Sequence, residues 1–574
     1  MRRESRAGHR GRPRAWCIWL LCALATLWYV WQVHHYLLGH QPAAGAPAGL
    51  GMRRNQARGA ALAKKPRARD VEATLPDAAE LAAFLAAPPA SVSTADRQRC
   101  VAAMTAHAWD GYMEYSAWAD ELQPLTRTSR AWLHLGLTAV DSLDTLWLAG
   151  LRSRFSTARD WAAHNLSVTP DVHVNLFETT IRVLGGLLSA HHLQGGDPEL
   201  LAQAGKLADS LVAAFATPTG LPLSDVNLLL RSAKGPDWGP DSSVSETTTL
   251  RLEFKALAAA GGPAAGARAA VEAQRRVMKL ARQSSGLATA RFINPNSGAW
   301  AGGQLTSLGS RVDSYYEYTL KCWLHEGRRD AELLRAYQDA VHGVTIKLLG
   351  RSRVEQLLFV GELEANNRLT GKMDHLVCFY PGLLALGHAS GVRPRADQME
   401  EQAAALKRLG FADGATQLDV AAELTAGCRE MYARNPLGMG PEIGHFNVDN
   451  EHATDDMLIK PADAHSLLRP EYVESLYVLW RVTGEQRYRD WGWDVWRGIE
   501  RYARVDTGGY ASVESVLEDP PRQRDHMESF FVAETLKYLH LLFEDDAAVL
   551  PLDAWVLNTE AHPLPVLRGG GGVA

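Results

Sequence analysis

Several short segments of the chain place carboxyl groups beside partners that can set their protonation. In Phe177-Glu178-Thr179-Thr180-Ile181-Arg182 the acid and the guanidinium are four residues apart and share one helix face. Leu176, Phe177, Ile181, Val183 and Leu184 mark that helix as buried on several sides, and a Glu buried beside an Arg is held in a defined state. Gly185 and Gly186 leave room for a close neighbour. Gly309-Ser310-Arg311-Val312-Asp313-Ser314-Tyr315-Tyr316-Glu317-Tyr318 reads as a loop entering a helix, with Asp313 near the N-cap and Glu317 one turn later. A cap explains Asp313. It does not explain the dense mixture of Arg, Asp and Tyr, which supplies donors and acceptors for a polyol. In Leu467-Leu468-Arg469-Pro470-Glu471-Tyr472-Val473-Glu474-Ser475, Pro470 suits a first helical position. Glu471 and Glu474 then lie together at a helix start. Like charges so close raise a pKa unless a cation or metal balances them, and Arg469 is the candidate. Glu528 among aromatics, and Glu560 in Asn558-Thr559-Glu560-Ala561-His562-Pro563, add further acids that are costly to bury alone. Carboxylates, Thr hydroxyls and carbonyls suit calcium, but EF-hand spacing is absent, so a calcium site must be assembled from distant segments. Taken singly, each acid also fits a helix N-terminus complementing the dipole.

The positioning elements read as helices. Apolar residues recur at helical period in Leu176–His191, Leu200–Phe215, Ser314–Trp323 and Glu471–Val482. Gly, Pro and Asn clusters punctuate them, and strand-like alternation is sparse and short. The class is therefore all-α with minor hairpins. Acids at the start of such runs fall at Glu121, Glu178, Glu246, Asp313, Asp374 and Glu442, in steps of 57 to 68 residues, each long enough for a helix pair. Repeated pairs can close into a ring whose inner helix ends send carboxylates to one cavity. Such a pocket suits glycoside hydrolysis, which needs two carboxyl groups across a sugar ring. It also suits isoprenoid cyclases, which hold diphosphate through magnesium, but basic residues for a diphosphate are not grouped here.

The chain has 574 residues, is 46% hydrophobic and 22% charged, and has a formal net charge of -5. That balance excludes a nucleic-acid partner and permits a sizeable core. Six arginines precede the uncharged apolar stretch 16–33. Its length and flanking charge predict a cytosolic tail (1–15), a single-pass type II anchor (16–33) and a luminal remainder. A signal peptide cleaved near Ala44-Gly45-Ala46 is the alternative, against which stand the length of the stretch and the distance to that site. Residues 34–95 are Ala-, Pro-, Gly- and Arg-rich and read as a flexible stem. The globular part is 96–567, and 568–574 a disordered tail. Cys100, Cys322, Cys378 and Cys428 remain for an oxidising lumen, without CxxC spacing. Asn165-Leu166-Ser167 is a sequon.

Together these segments resemble the class I α-mannosidases of glycoside hydrolase family 47. The resemblance covers about residues 100–567. It also takes in Asp141-Ser142-Leu143-Asp144-Thr145-Leu146-Trp147, Leu223-Ser224-Asp225-Val226-Asn227, Asp374-His375-Leu376-Val377-Cys378-Phe379, Pro441-Glu442-Ile443 and Asp525-His526-Met527-Glu528-Ser529-Phe530-Phe531. It implies an (α/α)7 barrel closed at one end by a C-terminal β-hairpin plug, and an inverting exo-α-1,2-mannosidase acting on oligomannose N-glycans of glycoproteins. Glu178 would be the general acid, Glu471 the general base and Asp313 a third essential carboxylate. Thr559 would bind Ca2+, and Cys378 and Cys428 would form the family's disulfide. Arg182, Glu246, His375, Arg469, Glu474, Glu528 and Glu560 would line the pocket or hold calcium-bound waters. Arg311 would favour removal of one middle-branch mannose from the nine-mannose glycan. The resemblance places a monomeric catalytic domain on the luminal side of the endoplasmic reticulum or early Golgi membrane. A glycan-binding disposal factor with little activity is the competing expectation. Tyr472, where the family has Thr, and the long stretch 388–426 depart from the pattern.

Overall fold

A computed structural model of the protein describes residues 70–567 apart from 238. The basic tail, the apolar stretch 16–33, the stem up to residue 69 and the tail 568–574 lie outside the described residues. No described helix is long and apolar enough to cross a membrane. The expectation of a flexible stem to residue 95 needs correction from Asp70 onward. Helix α1 (Ala78–Ala86) is closed by a reciprocal cap between Asp77 and Glu80 and buries Leu81, while Glu72 accepts hydrogen bonds from Ser153 and Arg154. The sequence signal was the Asp-x-x-Glu spacing, which outweighed the low-complexity composition.

The body is mostly helical, as expected. Helix α2 (Thr94–Ser116) is followed by pairs in which α3 (Leu143–Leu148) packs on α4 (Arg152–His164), α5 (Gly185–Leu193) on α6 (Pro198–Leu211) and α7 (Arg251–Ala259) on α8 (Ala265–Ala281). The pattern continues with α9 (Asp313–His325) on α10 (Ala331–Lys347), α11 (Tyr380–Ala389) on α12 (Gln417–Ala433) and α13 (Glu471–Thr483) on α14 (Gln486–Tyr502), and α15 (Lys537–Leu542) returns onto α2. The odd-numbered helices from α3 onward also pack on one another in chain order, and the π turn Phe531–Leu536 ahead of α15 packs back on α3. The ring of inner helices is therefore closed. Burial follows position. Every residue of α9 is buried, whereas α14 buries one stripe that includes Tyr488, Gly492, Trp493, Trp496 and Ile499.

Short antiparallel strands join outer helices to the next inner one; the longest, Ile443–Phe446, has four residues. The run expected as a helix from Leu176 is helical throughout, with a π segment (Thr179–Leu184) between its first turn (Leu176–Glu178) and α5. A second π turn follows Glu528 closely. Such insertions rotate the residues on either side relative to each other and concentrate at functional sites. Trp555–Leu557 pairs with Pro563–Pro565, and the turn between them, 558–562, is fully buried. Cys378 and Cys428 are bonded and close a loop with a sequence separation of 50, joining the start of α11 to α12. Loop closure of that length is worth about 4 kcal/mol in the chain-entropy account. Cys100 and Cys322 are free and buried.

Candidate active site

The inner helices begin with the acids. Glu178 ends the turn before the first π segment, Glu246 lies in the helical turn Val244–Thr248, and Asp313 and Glu471 are the first residues of α9 and α13. Charge interactions of Glu178 with Glu246, and of Asp313 with Glu471, show that these starts come together in pairs.

Glu178 accepts from Arg182 Nε at 2.8 Å, and Arg182 also donates to Glu560 and to Ser529 Oγ. Burial pushes the Glu178 carboxyl up to about 7, with Arg182 and Arg311 opposing and Glu246 adding to the rise. Asp313 is also pushed up to about 7 by burial, and Glu317 and Glu471 add to that, although Ser245 Oγ donates to it at 2.7 Å. Asp313 stands next to the N-cap, Val312, as expected, and it is buried without capping the helix. Glu471 accepts from His375 Nδ1 through Oε2 at 2.5 Å, while Oε1 is buried without a partner. Glu474 has two such oxygens, and its carboxyl is raised well above the ordinary range by burial, against the pull of Lys321.

Arg469 bears on Glu471 by charge, as the sequence suggested, but its hydrogen bonds go elsewhere. It is bonded through Nε and Nη2 to Glu442 at 2.8 Å each, so the nearby cation for Glu474 is Lys321, four residues after Glu317 in α9. Glu246 accepts from Asn175, Ser224 and the Ser243 amide, and so combines a capping box with a place beside Glu178. Arg311 has φ of 81°, a strained conformation for a non-glycine residue. Thr559 Oγ1 donates to Glu317 Oε2 at 2.7 Å, and Asn558 anchors the turn by donating to Ile181 O and Glu253. Hydrogen bonds and charge coupling thus link Glu178, Asp313, Glu471 and Thr559 into one buried network.

Glu528 behaves differently. Burial would raise it, but His526, held cationic near 10 by Glu528 and Glu121, keeps it down at about 2. Glu121, His526 and Glu528 offer ligand atoms within 4.8 Å of one another, which could hold a metal. A metal-bound imidazole must be neutral, so binding of an ion there would displace the proton that the two carboxylates otherwise hold on His526. The stronger case for a hard cation is the set of buried, unpartnered carboxylate oxygens on Asp313, Glu471, Glu474, Glu534 and Glu560. Oxygen donors without hydrogen bonds in a buried site are what such an ion and its waters satisfy. Glu534, Lys321, His526 and Tyr432 were not singled out from sequence. Only Lys321, at i+4 from Glu317, left a local signal.

A closed ring of helix pairs whose acid-lined interior holds carboxyl groups in unequal states suits a glycoside hydrolase. The family model described as Glycosyl hydrolase family 47 matches residues 104–566, and the chain belongs to that family. It is 44% identical over 472 residues to the rat protein named endoplasmic reticulum mannosyl-oligosaccharide 1,2-alpha-mannosidase, covering 82% of this chain and 68% of the relative. The human protein of that name is 45% identical over 472 residues, with 82% and 64% covered, so the chain spans just under two thirds of that relative's length. Among solved structures, the alpha-1,2-mannosidase from Trichoderma reesei aligns with a TM-score of 0.71 at 25% identity, covering 82% of this chain and 99% of that one.

Proposed function

We propose that this chain is an inverting exo-α-1,2-mannosidase that releases terminal α-1,2-linked mannose from oligomannose N-glycans, removing one middle-branch mannose from the nine-mannose glycan. The observation that supports it best is the different surroundings of two buried carboxyl groups. Glu178, pushed up to about 7, is an acid able to give a proton near neutral pH. Glu471 has one oxygen engaged by His375 and the other unpartnered. In this reading Glu178 protonates the leaving oxygen through a water, Glu471 deprotonates the attacking water on the other face of the ring, and Asp313 completes the charge around the sugar. Thr559 would supply the protein's calcium ligands, with Glu474, Glu528 and Glu560 holding the ion's waters. An ion held there would supply positive charge beside the sugar's hydroxyls. Arg182 sets the state of Glu178, Glu246 and Arg469 line the pocket, and Arg311 selects the branch. The helix pairs are read as an (α/α)7 barrel with the C-terminal hairpin as its plug.

The names of the relatives support residence in the endoplasmic reticulum or early secretory pathway. The reading adds a type II anchor at 16–33 and a monomeric luminal domain. Incubating the purified full chain with nine-mannose glycan, with and without EDTA, tests it. The expected products are one β-configured mannose and an eight-mannose glycan lacking the middle-branch terminus, with release lost in EDTA and restored by Ca2+. Binding of glycan without any release would favour the disposal-factor reading instead.

A further inference from the structure

His375 stands between Glu471 and a residue that the reaction scheme does not use. Its Nδ1 lies 2.5 Å from Glu471 Oε2 and its Nε2 lies 2.7 Å from the hydroxyl of Tyr432, on helix α12. All three groups are buried. With Glu471 in the role of base its carboxylate only accepts, and in that role Nδ1 is the atom that donates to it. In the neutral ring Nε2 is then an acceptor, and the Tyr432 hydroxyl is the donor that matches it.

The phenol is held for this task. Its ring packs on Tyr472 with centroids 4.6 Å apart and meets the imidazole at 5.7 Å. Gly440 closes the third side: a Cβ there would fall 2.7 Å from the Tyr432 hydroxyl oxygen and 2.8 Å from His375 Cδ2, so only glycine lets the pair approach. Behind the Tyr432 and Tyr472 rings lies a cavity of about 400 Å³ between α12 and α14, lined also by Arg429, Trp491 and Asp494. Tyr432 therefore forms the wall between the Glu471 network and that outer space. The Tyr472 hydroxyl is buried with no partner, so Tyr472 contributes its ring only.

We propose that Tyr432 is a positioning residue for Glu471: through His375 it fixes the imidazole tautomer that engages Oε2 and leaves Oε1 as the atom that takes a proton from water. The inference rests on Glu471 acting as the base. The charged groups bearing on this chain from other elements are Glu442, which faces both Tyr432 and His375, and Arg469, Asp313, Glu474 and Glu534, which face Glu471. None of them lies on the Tyr432 helix, so a change at Tyr432 alone leaves their number unaltered.

The test compares the full-length protein with Tyr432→Phe, which keeps the ring and removes the donor, and with Tyr472→Phe, which removes a hydroxyl that bonds nothing. ¹⁵N NMR of histidine-labelled protein reports the His375 tautomer without requiring turnover. Steady-state kinetics on nine-mannose glycan report the base. Tyr432→Phe is expected to lose the single Nδ1–H tautomer and to lower kcat about tenfold, the value of one buried hydrogen bond, with KM within about twofold and a displaced acidic limb of the pH profile. Tyr472→Phe should match the parent in every readout. An unchanged tautomer, or an unchanged kcat and pH profile in an active Tyr432→Phe protein, overturns the proposal. Should the parent itself release no mannose, the hydrolase reading fails, and the tautomer measurement alone decides whether Tyr432 sets His375.

Discussion

At the scale of residues, the site works by giving identical functional groups different surroundings. Glu178 and Asp313 are pushed up by burial, while Glu528 is held at about 2 by an imidazolium that two carboxylates keep charged. Three non-glycine residues with positive φ, Arg311, Leu468 and Ala561, stand within three residues of Asp313, Glu471 and Glu560. Such backbone costs about 1–3 kcal/mol per residue and is retained where it aims a neighbour. Glu471→Gln keeps the shape and most contacts of the side chain but abolishes its basicity. Turnover should fall by about 10²–10⁴-fold, while glycan binding measured by calorimetry persists. Retention of full turnover would remove Glu471 from the role of base.

At the scale of elements, the hairpin turn 558–562 is positioned by contacts that leave little slack. A Cβ at Gly185 would fall 2.7 Å from Asn558 Nδ2 and 2.8 Å from His562 Cδ2, so Gly185→Ala must push the turn that carries Thr559. The variant is expected to lower the thermal midpoint and to reduce the further stabilisation given by Ca2+, because the displaced residue is the one proposed to bind the ion. A variant with the parent's calcium-dependent shift would show that Thr559 is not the ligand. The two π turns act at the same scale. Each lies just after a site acid, Glu178 or Glu528, and lets the helix beyond it keep its packing while the acid faces inward.

At the scale of the whole molecule, the raised carboxyl groups couple pH, metal and stability. Glu178, Glu253 and Asp313 sit at about 7, and Glu474, Glu534 and Glu560 lie well above their ordinary value. Without metal the folded chain therefore binds more protons than the unfolded one. Its stability falls as pH rises from about 4.5 through 7 and beyond. Asp144 and Glu528, held at about 2, act in the opposite sense below about pH 4, and His192, His325 and His540, which burial keeps down at about 3 to 4, act in that sense up to about pH 6.5, so the fall is steepest above that. In EDTA the thermal midpoint should be lower at pH 8 than at pH 5.5. Ca2+ should reverse much of that loss, since a cation replaces the protons. Equal midpoints at the two pH values in EDTA would contradict a cluster of buried, proton-holding carboxyls.

The sequence by itself determined the helical class, the catalogue of acids and much of their local setting. Helical periodicity, the Glu178 and Arg182 spacing, and Asp313 and Glu471 at helix starts are properties of consecutive residues, and propensity and patterning act at that range. It was less informative where a local rule had two outcomes. Asp313 at a helix start allowed either a cap or a place in the pocket, Arg469 offered charge to Glu471 without disclosing its bonds to Glu442, and the capped helix at 78–86 was hidden in Ala-rich composition. Only the tertiary structure decided which oxygens are left without partners and which residues meet across the ring. Glu471 meets His375 96 residues away in the chain, and Thr559 meets Glu317 242 residues away. No local pattern encodes such pairs. They arise when the ring of inner helices closes, brings the helix starts together, and removes the water that would otherwise make the carboxyl groups alike.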